Sequence, residues 1–215
     1  MKTNTLPTDD RDKILNFARQ KFHREGFYKI SMDEIAKELH VSKKTIYKYF
    51  PSKEKLLEEI CKVTSEFLEK HVDEIVHSKT DVVTKFVKLL NLHSNFMMNI
   101  SEKWLEDLRI HAPGIKCKID DTRNEKIIFI TTKLLEEGKK AKLIENYPAP
   151  IIISILTSSF AGIFNPDFII QNKFSLQDAF EYTYDIIMNG ILTNKGKEKY
   201  KKTKPLLSKK LIYNF

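Results

Sequence analysis

The stretch Ser31–Lys55, SMDEIAKELHVSKKTIYKYFPSKEK, leaves its chain few ways to fold, because it holds two helix-start signals with apolar residues at helical spacing behind each. The Ser31 hydroxyl can accept a bond from a backbone N–H, and Glu34, three residues on, can reach back to the Ser31 N–H, the pattern of a capping box. Behind it Ile35, Ala36 and Leu39 share one helical face. His40 and Val41 interrupt that period, and Ser42 offers a second N-cap. Ile46 and Phe50, four apart, form the buried stripe of the second helix, which Pro51 closes by disfavouring helical geometry at Phe50. The spacing predicts two short helices joined by a tight turn.

Burying Ile46 and Phe50 leaves Lys43, Lys44, Thr45, Tyr47, Lys48 and Tyr49 on or near the outer surface. Lysines supply point charges for phosphate oxygens, hydroxyls can bond phosphates or base edges, and the Thr45 methyl suits thymine. A solvated surface helix would account for the lysine pair alone. Taken with the caps, the turn and the preceding helix, the residues point to a helix-turn-helix that enters a DNA groove.

Arg11–Ile60 resembles the N-terminal DNA-binding domain of TetR-type transcriptional regulators, and the likeness covers about a quarter of the chain. It rests on ILNFARQKFHREGF (Ile14–Phe27), MDEIAKELHVSKKTIYKYF (Met32–Phe50) and PSKEKLLEEI (Pro51–Ile60). His40 departs from it, since relatives often carry glycine at that turn; histidine tolerates the left-handed region better than most residues. The resemblance implies that Lys29, Ser31 and Met32 lie near the DNA backbone at the start of the first helix of the pair. It further implies that Ser42, Lys43, Lys44, Thr45, Tyr47, Lys48 and Tyr49 face the major groove and that Lys53 grips a phosphate.

The net charge of +8 favours an anionic partner, but its distribution matters more than its size. Residues 195–215 hold eight lysines against Glu198, which leaves the rest of the chain near neutral. From His40 to Lys55 five lysines face only Glu54, so the local excess sits where the motif needs it. The tail can add nonspecific phosphate affinity or remain a solvated end. Cys61 and Cys117 form no disulfide framework, and neither joins His71, His77, His93 or His111 in a metal-ligand spacing, so no metal or cofactor is expected. The N-terminus lacks the apolar core of a signal peptide, and Ile151–Phe164 is too short and too rich in serine to span a membrane. The expected place is the cytoplasm, of a bacterium if the resemblance holds.

Beyond Pro51 no period-two alternation occurs, and the chain is expected to be all-α. A connector helix is predicted over about Ser52–Val76, with Leu56, Leu57, Ile60, Val63, Phe67 and Leu68 as its stripe. Further helices follow over about Asp81–Asn99, Glu102–Ile110, Ile115–Glu137, Ala149–Ile163 and Leu176–Leu192, the last capped by Ser175. The expected divisions are a helix-turn-helix domain over 8–51, the connector over 52–79, a helical domain over 80–193, and a basic tail over 194–215.

Inward-facing candidates in that helical domain include Phe86, Leu90, His93, Phe96 and Met97, then Trp104, Leu108 and His111, and beyond them Phe129 and Phe160. Such a set can wall an apolar pocket, or it can be core. The resemblance implies that this region binds a small effector, not identified by the sequence, and that its last two helices pair across a two-fold axis in a homodimer. Ser158, Ala161 and Gly162 would allow close approach there, and Ile186, Ile187 and Ile191 would supply a matching stripe. An intramolecular core would use the same residues. An operator duplex, a second copy and a small effector are thus the expected partners. Control by a protein partner, or no effector at all, is the alternative.

An all-helical enzyme finds little support. Glycines stand only at 26, 114, 138, 162, 190 and 196, which excludes GxGxxG, the P-loop and GxSxG. Asp120, Asp121, Glu136 and Glu137 read as solvated helix faces, and no catalytic residue is expected.

Overall fold

The computed structural model describes residues 10–163, 168, 171, 172 and 175–204, with the backbone alone of Phe160, Ala161, Leu176 and Gln177. Polar caps set the helix starts. Ser31, Ser42, Ser101, Ser175 and Thr193 each accept the backbone N–H three residues on. They open α2 (Met32–Glu38), α3 (Lys43–Tyr49), α6 (Glu102–His111), α9 (Leu176–Ile191) and α10 (Asn194–Thr203). The other helices are α1 (Asp10–Glu25), α4 (Lys53–Val76), α5 (Val82–Met98), α7 (Pro113–Lys140) and α8 (Ala149–Ile163). Among the described residues there is no strand; an isolated bridge pairs Ile144 with Leu192. None of these helices is long and apolar enough to cross a membrane.

Two compact units emerge. Described residues up to Leu68 group with Asn99–Ile119, and Glu69–Met98 groups with those from Asp120 onward. In the first unit Ile14, Ala18 and Phe22 of α1 meet Ile35 of α2, Ile46 of α3, and Leu56 and Ile60 of α4. All are fully or almost fully buried. The stripes read from the sequence at Ile35 and Ala36 and at Ile46 and Phe50 therefore face this interior.

Helix α6 belongs to the same core. The sequence placed Glu102–Ile110 within 80–193, yet Trp104 and Leu108, four apart on one face, pack with α1. The Trp104 ring lies edge-on to His23 at 4.7 Å and to Phe27 at 5.5 Å. Burying Leu108 alone contributes about 2 kcal/mol.

In the second unit Val83, Phe86 and Leu90 of α5 pack with Leu134 and Leu135 of α7, Ile152 and Leu156 of α8, and Phe180, Tyr184 and Met188 of α9. Buried Lys85 sends its ammonium to both carboxylate oxygens of Glu137 at 2.9 Å, which compensates its removal from water. The Tyr184 hydroxyl donates to the Phe86 carbonyl at 3.1 Å.

Residues 194–203, expected as the start of a basic tail, form the docked helix α10. Gly196 and Tyr200 stand four apart on its inner face, with Tyr200 buried in the core. Lys199 meets Asp81 at 3.3 Å, and the remaining lysines line the outside. A Cβ on Gly196 would lie 2.2 Å from the Leu143 carbonyl oxygen, a backbone atom that cannot swing aside. Gly196→Ala is expected to destabilise the protein by about 2 kcal/mol, read as a lowered urea midpoint.

Candidate nucleic-acid interface

The helix-turn-helix is built around α1. Lys21 of α1 is buried to its ammonium, which meets Glu38 at 2.8 Å, Glu34 at 3.1 Å and Glu25 at 3.2 Å. The Glu38 hydrogen bond leads in holding this lysine above its usual range. Glu34 therefore turns its carboxylate to Lys21, while Ser31 still caps α2 through the Glu34 N–H at 3.1 Å. Half of the anticipated capping box is formed, and the other half is exchanged for a tie between α1 and α2. His40 takes φ 55, so the tight turn does use the left-handed region.

Helix α3 buries Ile46 and presents Lys43, Lys44, Tyr47 and Lys48 to solvent. Ser42 caps it by accepting the Thr45 N–H at 3.0 Å, and the Ser42 and Thr45 hydroxyls are bonded at 2.7 Å. Lys43 is paired with Asp33 of α2, an anion on the same surface that the sequence reading did not single out. The Lys48 ammonium sits 5.2 Å from the Tyr49 ring centroid. Ahead of α2, Lys29 is exposed, whereas Met32 is buried and serves the core. Lys53 donates to the Tyr28 carbonyl at 2.8 Å and lies over the Phe27 ring, and its burial holds it below the usual lysine range.

The residues expected around a pocket do not share one place. Phe86 and Leu90 lie in the second unit's core, where His93 stacks on Phe180 at 5.1 Å. Burial, and then the charge of Arg123, pushes the His93 imidazole down to about 4. Phe96 and Met97 are half-buried on α5, while Phe129 is 70% exposed beside exposed Ile127 and Ile128. Trp104, Leu108 and His111 belong to the other unit, where His111 stacks on Tyr28 at 3.5 Å. The Phe160 side chain lies outside the described residues.

Of the residues expected at a two-fold interface, Ile186 is 73% exposed, Ser158 and Gly162 are exposed, and Ile187 and Ile191 are buried within their own unit. The Ala161 side chain lies outside the described residues. Three residues that the sequence reading did not single out extend this exposed apolar surface: Ile151 and Ile155 on α8, four apart, and Tyr182, four before Ile186 on α9, each more than half exposed. A Cβ on Gly162 or Gly190 would meet nothing within 4 Å.

Residues 14–60 match the family model described as bacterial regulatory proteins, tetR family. The chain carries the DNA-binding domain of that family. The chain is similar along most of its length to the HTH-type transcriptional regulator YvaF of Bacillus subtilis, at 23% identity, covering 83% of this chain and 94% of that protein. Over 60 residues it is 43% identical to the regulator UidR of Escherichia coli, which covers 28% of this chain and 30% of that one. A TetR-family regulator from Marinobacter aquaeolei shares the fold at TM-score 0.70 and 16% identity, covering 93% of this chain and 99% of that one. A regulator from Saccharomonospora viridis, in complex with choline, does so at 0.67 and 18%, covering 86% and 98%. The protein is a DNA-binding transcriptional regulator of helix-turn-helix type.

His23 adds a pH dependence to the DNA-binding unit. Burial, reinforced by the Arg19 charge, holds its imidazole down at about 4 against an ordinary 6.5. Between those values the unfolded chain takes up a proton that the folded chain refuses, so stability is unaffected above the window and falls as the pH drops through it. His23 is expected to cost about 3 kcal/mol by the acid end of that range. Urea midpoints should fall from neutral pH to about pH 4, and less steeply for His23→Leu.

Proposed function

We propose that this chain is a repressor that binds a near-palindromic duplex as a homodimer and is released by a small, largely apolar effector. The observation that carries the DNA reading is the outer face of α3, where exposed Lys44, Tyr47 and Lys48 surround the buried Ile46 that anchors the helix. Lys44 and Lys48 supply charge for phosphates, and the Tyr47 hydroxyl reaches base edges or phosphate oxygens. Lys29, Lys43, Thr45 and Tyr49 add contacts at the rim of the same face. Ser31, Ser42 and Lys53 contribute through the caps and turn that hold it, and buried Met32 through packing alone.

Two copies present two such helices. The exposed stripes of α8 and α9, with open space at Gly162 and Gly190, suit burial against a second copy. A two-fold dimer would set its recognition helices about 34–36 Å apart, one turn of duplex. The effector is assigned to the part of 80–193 that lies outside α6, around His93 and Phe180. That the Saccharomonospora viridis neighbour is in complex with choline supports a small-molecule effector. An effector that binds better to a conformer with the wrong helix spacing lowers DNA affinity by that difference in binding free energy.

Selection of a duplex from a random library at two salt concentrations tests the DNA reading. The expected product is an inverted repeat bound with a steep salt dependence. Lys44→Ala should weaken all duplexes about equally and reduce the salt slope by about 1. Tyr47→Ala should lose at least about tenfold on the selected duplex, roughly one well-made base or phosphate contact. Wild-type affinity in both variants would remove α3 as the reader. For the dimer, Ile186→Asp is expected to sediment as a monomer and to lose the selected duplex; an unchanged dimer would place the interface elsewhere.

A further inference from the structure

Between α1 and α2 the chain must turn through Gly26–Ile30 before Ser31 caps α2, and exposed Lys29 lies in that turn. Gly26 takes φ +76, and its N–H bonds the Phe22 carbonyl at 2.9 Å. The next two backbone N–H groups, of Phe27 and Tyr28, then point to one atom. Both donate to Oδ2 of Asp107 on α6, at 2.6 and 2.7 Å. Asp107 is buried at 6% exposure, so its carboxylate and the two N–H groups answer one another where water cannot.

Two further contacts fix the same turn. Lys53 of α4 donates to the Tyr28 carbonyl at 2.8 Å, and the Tyr28 ring stacks on His111 at 3.5 Å with the planes 7° apart. A Cβ on Gly26 would come within 2.6 Å of Asp107 Oδ2, so the carboxylate reaches this backbone only because position 26 has no side chain. Asp107 stands well outside the matched residues 14–60, on a helix remote in sequence from the DNA-reading pair.

We propose that Asp107 is a positioning residue for DNA binding: by holding the Phe27 and Tyr28 N–H groups, it sets the path of Lys29 and the start of α2, and with them the attitude of α3. It touches no DNA itself. Its effect on affinity passes through the backbone of the turn, and α6 is in this sense a working part of the reader. The inference goes beyond the repressor reading and requires only that the protein bind DNA through the helix pair.

The test uses the full-length protein, Asp107→Ala and Asp107→Asn, with two labelled duplexes: the one selected by the wild type and a scrambled duplex of equal length and composition. Asparagine keeps an oxygen that can accept both bonds, whereas alanine keeps none. Asp107→Ala is expected to bind the selected duplex at least about tenfold more weakly, with Asp107→Asn within about threefold of the wild type. In amide spectra the Phe27 and Tyr28 resonances should move upfield and exchange faster in Asp107→Ala. A folded Asp107→Ala that has lost those signatures and binds both duplexes as the wild type does overturns the proposal. Should alanine prevent folding, asparagine decides. Amide bonds and binding kept together, or lost together, uphold it, and either one kept without the other sinks it. If the wild type selects no preferred duplex, the repressor reading falls while the scrambled duplex still measures the role of Asp107.

Discussion

The interior of the helix-turn-helix unit is shared with a later helix. A bundle made of α1, α2, α3 and the start of α4 is small, and small domains bury a smaller fraction of their surface on folding. Trp104 and Leu108 of α6 complete it, with the Trp104 ring set edge-on between His23 and Phe27. Much of the unit's geometry follows from that cover. It buries His23, it brings Asp107 to the turn after Gly26, and it places His111 on Tyr28.

Charge is then arranged around this interior rather than through it. Lys21 answers three carboxylates from α1 and α2, an arrangement that ties two helices without leaving a buried ion alone. The glutamates that face Lys21 are thereby drawn toward α1, while the outer face of α3 keeps its lysines. Asp33 is the exception: it holds Lys43 on the face proposed to meet DNA, where a phosphate would have to compete with a carboxylate for that ammonium.

Local rules were legible in the sequence where the side chain and its target lie within one turn. Ser31, Ser42 and Ser175 cap as their spacing implied, His40 adopts the left-handed turn, and Ala149–Ile163 is helical over the span foreseen. What required tertiary knowledge was not. The period of Trp104 and Leu108 says that a face is buried but not against which partner, so α6 was grouped with the residues expected around the effector. Glu34 had two destinations, and sequence favoured the nearer. Helix α10 was hidden by its lysines, although Thr193 as a cap and the spacing of Gly196 and Tyr200 were there to find it. Asp107 too left a signal, a carboxylate beside Leu108 and three residues after Trp104, on a face that otherwise sinks into the core.

The close fit of Gly26 to Asp107 bears on how such regulators can be recombined. A chimera made by exchanging the segment that matches the family model would carry Gly26, Phe27 and Tyr28 into a host and leave Asp107 behind. Its cut would fall in the middle of an interlocked core, giving a transplanted reader whose turn has lost its anchor. The transferable module is discontinuous: it joins the N-terminal helices to a later helix, and the intervening chain can be exchanged only if both parts travel together.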